Sequence, residues 1–315
     1  MTSRSPVVQR SKMILEIASE LVNTPGWNDR QVRVHFREQG APEWRICFFA
    51  SDAPNSIEAV VNGDADIAIC NPGVVLGMAL HGAAPFKEAI PVRAITVFPQ
   101  FDLWGFAVAE STGITSIAEV RDKRSPLKIS LRGQPDHSVH FVTDQILQAY
   151  GFSLKDIEAW GGELRYTPGL PVQPGRLDAV ERGELNALID EAFPGYVGRA
   201  RDAGMRILPI DEPQLQQLEA KGLRRQYART SDFPKLTEDV ATIDFSGWPV
   251  FCLESTPDEI VTAFCGALEA RKANIPWYGQ GPMDPRLMVT DTREAPMTIP
   301  LHRAAERFWK EQGYL

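Results

Sequence analysis

The chain has little of what marks several whole classes of protein. Its four cysteines, Cys47, Cys70, Cys252 and Cys265, are widely spaced and form no C-x-x-C pair, which excludes a disulfide framework and a structural metal site of the usual spacing. Apolar runs such as AVVNGDADIAIC and ITVFPQFDLWGFAVA are broken by charge, Gly or Pro, well short of the roughly 20 residues a membrane helix needs. Basic residues are outnumbered, 33 Lys and Arg against 41 Asp and Glu, and form no cluster; a formal net charge of -8 repels polyanions, so nucleic acid is not an expected partner. There is no Walker A loop, no G-x-G-x-x-G after a strand, no G-x-S-x-G elbow and no H-E-x-x-H. The N-terminal run MTSRSPVVQRSKMILEIASELV is interrupted by Glu16 and Glu20 and lacks the continuous apolar core of a signal peptide. As written, the expectation is a cytoplasmic protein, or a periplasmic one if the reading frame extends upstream.

What is present is the composition of a folded globular chain, long enough for two domains. Residues 11–22 place Met13, Ile14, Ile17, Leu21 and Val22 at helical spacing, which predicts a first amphipathic helix. QVRVHFRE and WRICFFAS read as a hairpin around GAPE. A helix over 51–62 with Ile57, Val60 and Val61 inward stops at Gly63, and the short strand ADIAIC follows. The helix VVLGMALHG and the strand IPVRAITVF, continued as LWGFAVAE, complete a strand and helix alternation that predicts parallel sheets covered by helices. The pattern then restarts: IAEVRDKRSPLKISL as helix and strand, HSVHFVTDQILQAYG as a helix stopped by Gly151, RLDAVERGELNALID as helix and strand. NSIEAVVNGDADIAIC and RLDAVERGELNALID share one form, an amphipathic helix, x-G-[DE]-x-[DN]-A and an apolar strand, and the repeat suggests two similar lobes. After IDFSGWPVFCLE comes a helix with Thr256 as N-cap and Pro257 at its first position. The last helix, from near Pro300, carries Leu301, Ala305, Phe308 and Trp309 on one face and returns the chain to the first lobe.

Four ordered segments, VVNGDADIAICNP, ITSIAEVRDKRSPLKISLRGQPDHSVHFVTDQILQAYGFSLKDI, AVERGELNALIDEAFPG and PLHRAAERFWKEQGYL, make the chain from about residue 50 to its end resemble the solute receptors of TRAP transporters of the TAXI type. That resemblance implies an α/β, two-lobed type 2 periplasmic-binding-protein sandwich with a ligand cleft between the lobes. Lobe one would be residues 1–104 plus 251–315 and lobe two 105–250, joined by crossing strands near FDLWGFAV and GWPVFCLE. It implies a small acidic or polar solute, one bearing a carboxylate in particular, held by backbone N–H groups at helix starts, with delivery to a membrane transporter subunit and no cofactor.

Position by position, the resemblance brings Ser51, Asn55 and Ser56 to the ligand through SDAPNS, although simple N-capping by Ser51, Asp52 or Asn55 explains the same residues. Asn71 follows a strand end and faces the cleft, or else forms a turn with Pro72 and Gly73. In RGQPDHS the candidates are Gln134, His137 and Ser138, while Asp136 would repel a carboxylate. Asp190 and Glu191 occupy the second cleft-facing strand end, where they could receive an ammonium group. Trp104, Trp248, Trp277 and Tyr278 could line the cleft. The catalytic alternative is a cytoplasmic decarboxylase or lyase of an organic acid on the same fold, with His137 as acid or base. His137, His140, Asp136 and Asp144 are the residues a divalent metal would require. A regulatory sensor using the same cleft is the third reading.

Overall fold

The structure is a computed structural model that describes residues 6–22, 31–36, 44–49, 53–135, 137–275, 277 and 279–315. The first half of the chain supplies α1 (Pro6–Val22), β1 (Gln31–Phe36), β2 (Trp44–Phe49), α2 (Ala53–Val61), β3 (Ile67–Ile69), α3 (Val74–His81) and β4 (Val92–Phe98). There follow β5 (Gly105–Ala109), α4 (Ile117–Asp122), β6 (Lys128–Arg132), α5 (Ser138–Ala149), α6 (Leu154–Ala159), β7 (Glu163–Thr167), α7 (Leu177–Glu181) and β8 (Ala187–Asp190). Then come α8 (Phe193–Asp202), β9 (Met205–Ile207), α9 (Glu212–Glu219), β10 (Arg225–Ala228) and β11 (Val240–Ile243). The chain closes with β12 (Trp248–Leu253), α10 (Asp258–Arg271), α11 (Arg286–Val289) and α12 (Arg303–Glu311).

Two five-stranded sheets result, β1-β2-β3-β12-β4 and β7-β6-β8-β5-β9, with β10 and β11 as a separate hairpin. This is a mixed α/β fold of two lobes. The expectation of parallel sheets holds only in part. β2 runs parallel to β3, and β6 parallel to both β7 and β8, but β12 is antiparallel to β3 and β4, and β5 to β8 and β9. The reason is topological: β5 and β12 are the strands by which the chain enters the second sheet and re-enters the first, so each arrives from the opposite side.

The two connections lie side by side. Trp104 N–H donates to Ile243 O (3.0 Å), Phe245 N–H to Asp102 O (3.0 Å) and Gly247 N–H to Gln100 O (2.7 Å), so the segments 100–104 and 243–247 form an antiparallel ribbon between the sheets. Trp104 is fully buried there and its Nε1–H donates to Thr143 Oγ1 of α5 at 2.9 Å; it is an anchor of this ribbon rather than a wall of the cleft. A second contact joins the lobes at α3 and the turn after α9. A Cβ on Gly77 would stand 2.2 Å from the carbonyl oxygen of Gly222, and one on Gly222 2.2 Å from that of Gly77.

α12 packs on α10 and β4, where Trp309 is fully buried and donates to Ile95 O at 2.9 Å. Three details differ from the sequence reading. Met13, Ile14 and Ile17 of α1 are exposed, and so is Val61 of α2, whereas Ile57 and Val60 are buried as expected. α10 begins one residue late, with Pro257 rather than Thr256 at the cap position. The expected hairpin turn GAPE lies outside the described residues.

Candidate functional site

β6 and β8 are parallel neighbours, so their C-terminal residues emerge side by side, and both are charged. Arg132 ends β6 and Asp190 ends β8; Arg132 Nη2 donates to Asp190 Oδ1 at 2.8 Å and to Glu191 Oε1 at 2.5 Å. Asp190 is fully buried, and its other oxygen pairs with Arg176, itself fully buried just before α7. Arg176 also donates to Ser130 Oγ (3.1 Å) and Gly169 O (2.8 Å). A buried carboxylate is tolerated only when charge and hydrogen bonds replace water, and Asp190 has two guanidinium partners. It is a structural pivot behind the cleft and not a surface that receives an ammonium group.

Glu191 and Arg132 are the members of this network that line the cavity. Glu191 Oε1 takes Arg132 and stands 3.2 Å from His137 Nε2, while Oε2 is buried with no hydrogen-bond partner. Burial, with the charge of Asp190 beside it, raises the Glu191 carboxyl well above its ordinary range.

His137 caps α5: its Nδ1 accepts from Val139 N–H at 3.2 Å. That bond fixes the tautomer, since the accepting nitrogen cannot carry the proton and Nε2–H must then point at Glu191. Burial, reinforced by the charges of Arg132, His140 and Arg176, pushes His137 down to about 3. Neutral, with its only lone pair in a helix cap, it has no free basic nitrogen for the acid or base role considered from sequence. A pH experiment follows. Below 6.5 the unfolded imidazole takes up a proton that the folded one refuses until about 3; the unfolded state then binds more protons, so this group weakens the fold as pH falls through that window. Asn at position 137 keeps an acceptor for the cap and does not titrate. His137→Asn should therefore lose less stability than the parent between pH 6.5 and 4 in urea denaturation, and equal slopes would contradict the assigned state.

Asp102 comes from the crossing ribbon and caps α8. Its carboxylate accepts from Leu103 N–H (2.7 Å), Ala192 N–H (3.0 Å) and Phe193 N–H (3.0 Å), and Ala192 is held at φ 60°, a left-handed conformation that costs a residue with a Cβ roughly 1–2 kcal/mol. Burial pushes Asp102 up to about 7 although these three donors oppose it, and the charge of Asp190 adds to the rise.

These groups surround a cavity of about 390 Å³. Asn71, Pro72 and Trp248 line it from the first sheet, Gln100, Phe101, Asp102 and Phe245 from the ribbon, and Arg132, His137, Glu191 and Pro194 from the second sheet. Of the residues singled out in the sequence, Asn71, His137, Glu191 and Trp248 thus converge here. Asn55 is half-buried and Ser56 buried, and neither lines the cavity. Gln134 uses its carbonyl on His137 N–H and His140 Nε2, Ser138 is fully buried with an unpartnered Oγ, and neither borders the cavity. Trp277 packs on the cluster beneath β12 and α10. Ser51, Asp136 and Tyr278 lie outside the described residues. Among the described residues no three His, Cys, Asp or Glu side chains come together as metal ligands, and no helix is long and apolar enough to cross a membrane.

Sequence reasoning missed Arg132, Arg176 and Asp102. Arg132 carried a readable signal, a charge at the end of the apolar strand KISL directly before Gly133. The other two gained their roles only from contacts remote in sequence.

A family model described as the NMT1-like family matches residues 49–313. None of the curated proteins compared matches the chain in sequence. Similar solved structures include one described as a periplasmic transporter, 14% identical with a TM-score of 0.36 over 84% of this chain and 81% of the other. A TctC solute binding protein from Polaromonas is 14% identical with a TM-score of 0.37, covering 70% and 69%. The glycine betaine and L-proline-binding protein ProX from Borrelia burgdorferi is 14% identical with a TM-score of 0.39, covering 69% and 67%.

Proposed function

This chain belongs to the NMT1-like family, and from that premise we propose that it is a solute-binding protein whose two lobes hold a small polar organic molecule in the cavity at Glu191 and Trp248. One observation carries the reading: the cavity of about 390 Å³ is walled by both sheets and by the ribbon that joins them, so any change in the angle between the lobes opens or closes it. The size falls in the ordinary range of small-molecule sites, and the walls combine aromatic surface with a few convergent polar groups.

The finer assignment is a receptor of the TAXI type that passes its solute to a membrane transporter subunit. Its support is the ordered set of sequence segments that resemble those receptors, from VVNGDADIAICNP to PLHRAAERFWKEQGYL. The division of the chain into 1–104 plus 251–315 and 105–250 belongs to the same reading. Binding alone, without turnover, is the favoured activity, because the imidazole that an enzymatic mechanism would use is committed to the α5 cap.

Denaturation in the presence of a solute library tests the proposal. A true ligand at about 100 times its dissociation constant should add about 2.7 kcal/mol, and Trp248→Ala should remove that gain. Stabilisation that survives Trp248→Ala would place the solute elsewhere; consumption of the stabilising compound would move the protein to the enzymes.

A further inference from the structure

On the second-sheet side of the cavity the helix starts of α8 and α5 are capped by the protein's own side chains. The carboxylate of Asp102 takes the N–H groups of Ala192 and Phe193 at the start of α8, and the His137 imidazole takes that of Val139 at the start of α5. Both guanidinium groups are engaged, Arg176 on Asp190, Ser130 and Gly169 and Arg132 Nη2 on Asp190 and Glu191, with Arg132 Nε and Arg176 Nη2 left as buried donors without a hydrogen-bond partner. Asp102, Asp190 and Glu191 therefore face two guanidinium groups and a neutral imidazole. With all three ionised, negative charge exceeds positive by one, and the one oxygen among them with neither a hydrogen bond nor an ion pair is Oε2 of Glu191, a residue that lines the cavity together with Phe101, Phe245 and Trp248.

Resting on the reading of this cavity as a solute site, we infer that its solute presents a cationic or N–H-bearing nitrogen to Glu191, and no free carboxylate to that wall. A positive or donor nitrogen completes the unpartnered oxygen by a charge-assisted hydrogen bond and gains from the aromatic faces. A carboxylate in the same place meets Asp102 and Glu191 and finds the N–H groups of Ala192, Phe193 and Val139 taken. The raised Glu191 and Asp102 carboxyls fit the same excess of negative charge: each holds its proton more tightly than usual, and a cationic solute supplies the missing positive charge in the proton's place. The charged and titratable groups facing Glu191 are Arg132 from β6, His137 from the start of α5, Asp190 from β8, Asp102 from the ribbon, and Arg176.

Calorimetric titration at pH 8 with shape-matched probes, benzylamine and cyclohexylamine against benzoate and cyclohexanecarboxylate, tests the inference on the unmodified protein. The amines should bind at least about tenfold more tightly than the carboxylates, and Glu191→Gln should weaken them about tenfold. Carboxylates that bind more tightly than amines, and lose binding in Trp248→Ala, overturn the nitrogen assignment while leaving the cavity as the solute site. If no probe binds, or if binding is indifferent to Trp248→Ala, both readings fall.

Discussion

Replacing Arg176 by methionine should cost about 3–5 kcal/mol of stability, measured as a lowered urea midpoint, because it leaves Asp190 as a buried charge with half its partners. Arg176 and Asp190 are both fully buried, so water cannot replace the lost guanidinium. Size is nearly conserved by methionine, so a cavity contributes little to the expected loss. The double variant Arg176→Met with Asp190→Asn should recover a large part, since the deficit comes from an uncompensated charge and not from missing volume. An unaltered midpoint in Arg176→Met would mean that Asp190 is stabilised by Arg132 alone, and the network described around the cavity would need to be redrawn.

The second large effect is expected at the glycine pair that joins the lobes. Alanine at position 77 would place a methyl group 2.2 Å from the carbonyl oxygen of Gly222, which is backbone on both sides and cannot swing away as a side chain would. Overpacking of this kind costs about 1–3 kcal/mol. Gly222→Ala should cost more, because Gly222 sits at φ +86° and its Cβ would meet the Gly77 carbonyl at the same distance, adding the left-handed penalty of roughly 1–2 kcal/mol. Since α3 packs with the first sheet and α9 follows the second, relief must come from parting the lobes, and solute affinity should fall together with stability. Equal costs at the two positions, or full retention of solute affinity in Gly222→Ala, would contradict this contact.

Much of the fold was legible because local rules agree with it. The helix stops expected at Gly63, Gly82 and Gly151 all have left-handed backbones, at φ 72°, 64° and 81°, the conformation for which glycine is selected at helix ends. The repeated helix and strand units emerged as α2 with β3 and α7 with β8. What stayed hidden is remote in sequence. Nothing in WPVFCL announces that β12 lies antiparallel between β3 and β4, and the hairpin of β10 and β11 uses the short polar run RQYA, which carries no clear alternation.

The same division holds at the site. Asn71, His137 and Glu191 could be picked out because they stand at strand ends or helix starts, where local geometry turns side chains toward a cleft. The resemblance to TAXI receptors steers expectation toward a carboxylate-bearing solute, and at the starts of α8 and α5 the N–H groups of Ala192, Phe193 and Val139 are taken by Asp102 and His137. That occupancy could not be read from sequence: Asp102 reaches the start of α8 across 90 residues, and Arg132 reaches Asp190 across 58.

Hydrogen exchange with and without a stabilising solute tests the account most directly. Binding between the lobes predicts new protection in the peptides that contain residues 100–104, 132–139, 190–195 and 243–248, and little change around the separate cavity lined by Arg206, Thr237 and Val240. Protection confined to that second cavity, with the ribbon and Glu191 unaffected, would contradict the claim that solute is held where the two sheets meet.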